Sequence, residues 1–202
     1  MRYLALGDSY TIGEDVAEAQ RWPMQLARAL RAEGVDLDDP RIIATTGWTT
    51  DELWGAMDAA EPLGEWDFVT LLIGVNNQYR KRTVDDYRVD FDALLTRAIA
   101  LAGGHAERVM VVSIPDWGVT PFAAQDARGP AVIAREIDAY NAAARTIAAS
   151  RHVAFVDITP VSRTRGAEPA MLAPDVLHPS GAMYALWAAQ VQPVARTLLQ
   201  EP

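Results

Sequence analysis

The chain has 202 residues, of which 50% are hydrophobic, and its formal net charge is −9. This length and hydrophobic content suffice for one domain with a substantial core. The negative charge would repel phosphate backbones, so we expect no nucleic-acid partner. Because the sequence contains no cysteine, disulfide frameworks, thiol catalysis and thiolate metal sites are excluded.

The first apolar run predicts a core strand rather than a signal peptide. Residues 3–6 are apolar, and the run stops at Gly7-Asp8-Ser9, well short of the apolar stretch that a signal peptide needs. No stretch is long and apolar enough to span a bilayer. We therefore expect a cytoplasmic protein with no integral membrane segment.

Short apolar runs recur along the chain, and each is followed by a turn signal and an amphipathic segment. Their β-branched residues and their lack of strict alternation favour strands that are buried on both faces. The five runs lie at 2–6, 41–45, 67–73, 108–114 and 153–158.

The segments between these runs predict helices, because they are rich in alanine and other helix formers. They lie at 23–34, 84–103, 131–150 and 181–199, and Pro193 predicts a kink or break in the last one. Alternating strands and helices predict an α/β fold. We expect a single domain over residues 1–202, a three-layer α/β/α sandwich around a five-stranded parallel sheet.

In such sheets, sites form beyond the carboxyl ends of the strands. Small, polar and aromatic residues follow the strands, and Ser9 comes directly after the first one. Ser9 is either a nucleophile or only a cap of the next helix. Ester hydrolysis by a serine needs a base, a group that orients the base, and donors for the oxyanion.

His178 is the candidate base. His105 and His152 precede strands and therefore lie at the opposite edge of the predicted sheet, whereas the loop of His178 can reach the edge that carries Ser9. Asp175 comes three residues earlier and can orient one ring nitrogen. The alternative is that Asp175 only caps the final helix. The combination of this pair with Gly7-Asp8-Ser9 favours catalysis.

Three groups are candidate oxyanion donors: the backbone N–H of Ser9, the backbone N–H of Gly47 and the side-chain amide of Asn76. A glycine N–H can approach a bound group closely, and the Ser9 N–H has a helix dipole behind it. Taken singly, Gly47 can serve only to make a turn, and Asn76 only to satisfy loop carbonyls.

Four short motifs of the chain contain Ser9, Gly47, Asn76 and His178 in this order. Together they resemble the motif blocks of the GDSL or SGNH hydrolase family, which is named for a serine, a glycine, an asparagine and a histidine. They stand here as Ser9 in GDSY, Gly47 in TTGWTT, Asn76 in GVNN and His178 in DVLHPS. The resemblance implies a flavodoxin-like α/β/α sandwich. It also implies that Ser9 is the nucleophile, His178 the general base and acid, and Asp175 its orienting group, with Ser9, Gly47 and Asn76 as the oxyanion hole.

Two positions depart from the family pattern. Tyr10 stands where leucine is usual, and Asn77 replaces the aspartate of the third block, which bears on how that loop is braced. For Asp8 we expect a structural role, in which it ties neighbouring loops together by hydrogen bonds. Trp48 and Trp117 are candidate walls of the substrate pocket, with core packing as the alternative.

Met171 is a third candidate substrate-binding residue, in a segment at 164–174 that we expect to act as a mobile flap. The basic run 79–82 either receives an anionic leaving group or is a solvated helix start. We expect no cofactor and no metal.

The predicted function is a serine hydrolase that cleaves carboxylic esters of small or lipid-like molecules through an acyl-enzyme. The alternatives on the same triad are a thioesterase, a lysophospholipase, a carbohydrate deacetylase or an acyltransferase. Other readings are a non-catalytic flavodoxin-like binding domain and a degenerate family member kept for protein interaction. The expected partner is a small acyl ester, and the sequence indicates no oligomeric state.

Overall fold

The computed structural model describes residues 1–200, so Glu201 and Pro202 of the predicted domain lie outside the described residues. Each of the five predicted apolar runs forms a strand, and each strand is one to three residues shorter than its run or shifted by one residue. The strands are β1 (Tyr3–Gly7), β2 (Arg41–Ala44), β3 (Phe68–Leu72), β4 (Val109–Val112) and β5 (Ala154–Val156).

All five strands pair in parallel in the order β2-β1-β3-β4-β5. This is the flavodoxin-like order, in which the chain first moves from β1 to one edge of the sheet and then returns across it. The α/β sandwich with a five-stranded parallel sheet is therefore confirmed.

Eight helices connect and follow these strands within the described residues. The four predicted helices form, and the last one runs without interruption through Pro193, so the predicted break does not occur. Val191 and Ala195 on either side of Pro193 are buried, and this packing stabilises the helix although the proline removes one backbone donor. The helices are α1 (Ser9–Ile12), α2 (Trp22–Ala32), α3 (Thr50–Ala59), α4 (Val75–Tyr79), α5 (Val84–Leu101), α6 (Pro130–Ser150), α7 (Thr159–Arg165) and α8 (Gly181–Gln200).

The helices form two layers around the sheet. α2 packs against α8, and α5 packs between α3 and α6. Because right-handed crossovers in opposite directions place helices on opposite faces, these are the two outer layers. Both layers bury large aromatic residues against the sheet, among them Trp22 and Trp187 on the α2/α8 side and Tyr87 and Phe91 on α5. No helix in the described chain is both long and apolar enough to cross a bilayer.

The turn from β1 into α1 is tightly packed. Gly7 ends β1 level with Ala44 of β2 and Leu72 of β3. A Cβ atom on Gly7 would overlap the hydroxyl of Thr11 and lie 2.5 Å from the carbonyl oxygen of Leu72. Only glycine lets the chain turn here without displacing β3 or α1.

Asp8 follows Gly7 and is fully buried. Its Oδ1 accepts a hydrogen bond from the backbone N–H of Tyr10 at 3.0 Å, which caps α1, while its Oδ2 has no partner among the described residues. Burial raises the pKa of Asp8 to about 7. The sequence-based expectation that Asp8 ties neighbouring loops together is wrong, since its side-chain bond is local.

We expect Gly7→Ala to destabilise the protein by about 1–3 kcal/mol or more, because the added methyl group has no space. Gly55 is the matched control. It is exposed inside α3, and a Cβ atom there would meet nothing within 4 Å. Gly55→Ala should therefore stabilise the protein by about 0.5–1 kcal/mol. Chemical denaturation measures both, and equal effects of the two substitutions would contradict the packing described here.

We expect Asp8→Asn to change the pH dependence of stability. As pH rises from about 4 to about 7, the unfolded carboxyl ionises while the buried one keeps its proton, so the folded state loses stability across this window. Asparagine caps the helix as well and does not ionise. At pH 8 the variant should be more stable than the wild type by more than about 1 kcal/mol, and near pH 4 the difference should vanish. A difference that is the same at both pH values would contradict a raised pKa.

Candidate active site

Ser9 is the first residue of α1 and is 3% exposed. The cap made by Asp8 sets the direction of this first turn, and Gly13 ends it in the left-handed region with φ of 69°. The Ser9 side chain lines a cavity of about 180 Å³ at the carboxyl edge of the sheet.

His178 lines the same cavity, from the loop that precedes α8. Its Nδ1 is hydrogen-bonded to Oδ2 of Asp175, whose Oδ1 accepts the backbone N–H groups of Leu177 at 3.0 Å and His178 at 2.9 Å. Burial alone would raise the pKa of Asp175, but these hydrogen bonds from His178 and Leu177 outweigh it and hold the pKa below its usual value. Asp175 is therefore an ionised partner for the imidazole at neutral pH.

The loop that carries this pair closes on itself. Leu172 and Pro179 form an isolated antiparallel bridge, and the N–H of Ala173 donates to the carbonyl of His178 at 2.7 Å. At its tip Val176 adopts φ of 57°, a conformation that β-branched residues rarely adopt. Strained residues of this kind persist where the surrounding structure holds them, often at functional sites.

Ser9 and His178 face one cavity without a direct hydrogen bond. Within the described chain, the only side-chain hydrogen bond of His178 is to Asp175. A hydrogen bond between a catalytic serine and its histidine is often long before substrate binds. His105 and His152 are exposed and precede β4 and β5, so they lie at the opposite edge of the sheet.

The three candidate oxyanion donors also line this cavity. In the part of the chain that the structure describes, neither the Ser9 N–H nor the Gly47 N–H donates to another group. Asn76 donates one Nδ2 hydrogen to the carbonyl oxygen of Trp48 at 2.9 Å. An amide nitrogen carries two hydrogens, so this bond fixes the plane of the side chain and leaves the second hydrogen available.

Asn77, which replaces the aspartate usual in this block, is fully buried and braces the loop. Its Oδ1 accepts the backbone N–H of Thr50 at 3.1 Å, and its Nδ2 donates to Thr50 Oγ1 at 2.7 Å. The Thr50 hydroxyl in turn donates to Asp90 on α5 at 2.8 Å. An amide can both accept and donate here, which an ionised carboxylate cannot do.

Apolar side chains form the remaining walls of the cavity. Trp117 is one of them, and its Nε1 donates to Oε1 of Gln78 at 2.8 Å. The Trp117 ring also contacts Tyr79 and Phe122, with centroid distances of 5.4 Å and 6.2 Å. Five further aromatic and aliphatic residues line the cavity, and the sequence analysis did not predict them as pocket walls: Tyr10, Val75, Tyr79, Phe122 and Leu177. Tyr10, Val75 and Leu177 each stand directly beside a predicted site residue.

Two of the three candidate substrate residues lie outside this cavity. Trp48 is half-buried and packs against the core, and it meets the site only through its carbonyl oxygen. Met171 lines a separate apolar cavity of about 20 Å³ on the other side of Tyr10, Trp117 and Leu177. Its carbonyl accepts the N–H of Ser180 at 2.9 Å, so the predicted flap is tied to the start of α8.

Tyr10, the second departure from the family pattern, stands between the base and the core. Its ring centroid lies 5.4 Å from that of His178 and 5.9 Å from that of Trp187. The aromatic ring therefore supports the imidazole from its buried side.

The basic run after Asn76 is largely paired with acidic residues. Arg82 bonds Asp51 at 2.5 Å, and Arg80 bonds Glu52 at 3.2 Å. Among residues 1–200, no group of three or more histidine, aspartate or glutamate side chains is placed to hold a metal ion.

Comparisons with known proteins show the family and the fold of the chain. Residues 5–186 match the model of the GDSL-like lipase/acylhydrolase family. No curated protein matches the sequence. Among solved structures, TesA is 20% identical with a TM-score of 0.76, and the alignment covers 98% of this chain and 99% of that one.

Two further structures share the fold. The lipase Lip_vut3 from a goat rumen metagenome is 17% identical with a TM-score of 0.78, and the alignment covers 99% of this chain and 100% of the lipase chain. The acetyl xylan esterase AlAXEase is 15% identical with a TM-score of 0.74, and the alignment covers 96% of this chain and 98% of the esterase chain. Since the family match spans nearly the whole sequence, as the four motif blocks predicted, the chain belongs to the GDSL-like lipase/acylhydrolase family.

Proposed function

We propose that the protein is a serine hydrolase that cleaves carboxylic esters of short acyl groups through an acyl-enzyme. One observation carries the proposal: Ser9, Gly47, Asn76 and His178 line a single cavity, and Asp175 stands behind the histidine. This combines a nucleophile, a base with its orienting group, and oxyanion donors at one place.

Acylation begins with the hydroxyl of Ser9. Its oxygen attacks the acyl carbon while its proton passes to Nε2 of His178. Because Nδ1 of His178 is bonded to Asp175, the Nδ1 atom carries the ring proton and Nε2 is left to accept. The ionised Asp175 stabilises the imidazolium that forms.

The carbonyl oxygen becomes an oxyanion, which the N–H groups of Ser9 and Gly47 and the amide of Asn76 stabilise. The imidazolium then gives its proton to the leaving alkoxide, which departs as the alcohol. Water next attacks the acyl-enzyme with His178 again as base, and the acid and the free Ser9 hydroxyl are released.

The size of the cavity supports a short acyl group. Its volume is about 180 Å³. An apolar cavity of about 150 Å³ holds one benzene molecule. Tyr10, Trp117 and Leu177 separate it from the small apolar cavity beside Met171. A longer acyl chain therefore has to extend out of the cavity into solvent, where its extra methylene groups add little binding free energy.

The alternatives on the same triad are a thioesterase, a lysophospholipase, a carbohydrate deacetylase or an acyltransferase. The small cavity favours acetyl esters among them. A non-catalytic binding domain would have no need of the paired Asp175 and His178. We also propose that the chain is one domain; the cytoplasmic location and the absence of cofactor, metal and nucleic-acid partner stay predictions.

We expect Ser9→Ala to lower the hydrolysis of p-nitrophenyl acetate by about 10⁴-fold or more, because the nucleophile is lost. Ser150→Ala is the matched control, since Ser150 is exposed at the far end of α6 and its hydroxyl bonds, among residues 1–200, only to the carbonyl of Ile147. Spectrophotometric rates of the three proteins measure the effect. If Ser9→Ala keeps the wild-type activity, Ser9 is not the nucleophile and the proposal is overturned. If no protein reacts, longer esters and thioesters come next, and failure to react with a serine-directed organophosphate would favour the binding domain.

A second prediction concerns acyl length. For p-nitrophenyl esters, kcat/KM should be highest between acetate and butyrate and should not rise further at octanoate. A buried methylene would otherwise add about 0.8 kcal/mol, which is about fourfold in kcat/KM. Leu177→Ala opens the wall toward the cavity beside Met171, so it should shift the preference toward octanoate. A steady rise of kcat/KM with chain length in the wild type would contradict the size limit.

A further inference from the structure

The segment that carries Gly47 lies outside any strand or helix, between β2 and α3. The N–H of Trp48 bonds to the carbonyl of Thr45 at 3.3 Å, and Gly47 adopts φ of 88°. A positive φ at the third position is the pattern of a type II turn, which requires glycine there. Glycine also adopts negative φ readily, so the turn itself does not hold the direction of the Gly47 N–H.

Side chains from α4 and the residues after it hold this segment. Asn76 bonds to the carbonyl of Trp48, and Asn77 bonds twice to Thr50. The hydroxyl of Thr46, directly before Gly47, donates to the carboxylate of Glu14. Arg80 is the side chain that contacts Gly47 itself: its Nη2 donates to the carbonyl oxygen of Gly47 at 2.7 Å.

The other end of the same guanidinium is anchored. Nη1 of Arg80 donates to Oε1 of Glu52 at 3.2 Å, and Oε2 of Glu52 accepts the backbone N–H of Thr49 at 2.8 Å. Arg80 thus joins the Gly47 carbonyl to the first turn of α3. The peptide between Gly47 and Trp48 is held at both its polar atoms, by Arg80 and by Thr45.

We infer that Arg80 is a positioning residue for the oxyanion hole, which acts by holding Gly47 in its positive-φ conformation. The inference rests on the proposed function for its kinetic consequence only. With the Gly47 carbonyl released, the glycine would also populate negative φ and its N–H would leave the oxyanion position part of the time.

Removal of the Arg80 guanidinium should lower the rate of catalysis and should change the free energy of unfolding only slightly. The side chains of Arg80 and Glu52 are 44% and 40% exposed. Exposed ion pairs of this kind typically contribute about 0–1 kcal/mol to folding. Loss of a whole oxyanion donor costs about 100- to 1000-fold in kcat, so a donor that is present only part of the time should cost less.

The test compares Arg80→Met with Arg82→Met. Arg82 stands two residues later and bonds Asp51, with no contact to Gly47. For ester hydrolysis we expect Arg80→Met to lower kcat by about 10- to 100-fold with KM changed less than about twofold, because only the transition state carries the oxyanion. Arg82→Met should keep wild-type kinetics, and Arg80→Lys, which retains one donor, should lie between.

Two further measurements separate positioning from a general structural effect. In a Gly47→Ala background the hole is already disturbed, so adding Arg80→Met should lower kcat by less than about twofold, a double-mutant coupling. The three-bond HN–Hα couplings of Gly47 report its φ by NMR. They should correspond to one positive φ in the wild type and Arg82→Met, and to an average of two conformers in Arg80→Met.

The outcomes distinguish this inference from the proposed function. If Arg80→Met matches the wild type in kcat and in the Gly47 couplings, Arg80 has no positioning role. Equal losses in Arg80→Met and Arg82→Met would likewise overturn it. If the wild type shows no activity that depends on Ser9, the proposed function fails, and unchanged or averaged Gly47 couplings still decide the role of Arg80.

Discussion

The parallel pairing of β1 with both β2 and β3 is the constraint on which the candidate site depends. Gly7 lies level with Ala44 and Leu72, so three neighbouring strands end at the same height. The segments after them carry Ser9, Gly47 and Asn76, the proposed nucleophile and oxyanion donors, within two to four residues of these ends. A slip of one residue would turn every β1 side chain to the other face and move its end by about 3.3 Å.

The segment around Gly47 lies outside strands and helices, so its backbone N–H and C=O groups need hydrogen-bond partners other than neighbouring strands. Here the segment after β3 supplies them: the amide of Asn76 bonds to Trp48, and the amide of Asn77 bonds twice to Thr50 at the start of α3. The neutral Asn77 suits this task because it lies fully buried, where an ionised carboxylate would carry a desolvation cost. The departure from the family pattern is therefore compatible with a well-braced loop.

The sequence predicted the sheet well, because strands buried on both faces are read directly from short apolar runs. It also brought Ser9, Gly47, Asn76, Asp175 and His178 to one edge, since their place after the strands fixes that edge. The walls of the cavity could not be predicted in the same way. Trp48 and Trp117 both follow strands, yet only Trp117 lines the cavity, because side-chain direction in a loop depends on contacts between distant residues.

Pro193 and Asp8 show two further limits of sequence-based reasoning. A proline predicts a kink or break from local chemistry, and the buried residues around Pro193 keep α8 continuous, so the break does not occur. Asp8 was expected to bridge loops, but the partners of a side chain at a tight turn depend on which atoms the fold leaves within reach. Both outcomes come from tertiary packing, which a single sequence does not display.

The loop that carries His178 has a consequence for how such a protein can vary during evolution. Its closing contacts, between Leu172 and Pro179 and between Ala173 and His178, lie within the loop itself. Chain length between β5 and this loop can therefore change without altering those contacts, since surface connections tolerate insertions readily. Such insertions would add segments beside the cavity while Asp175 and His178 keep their places.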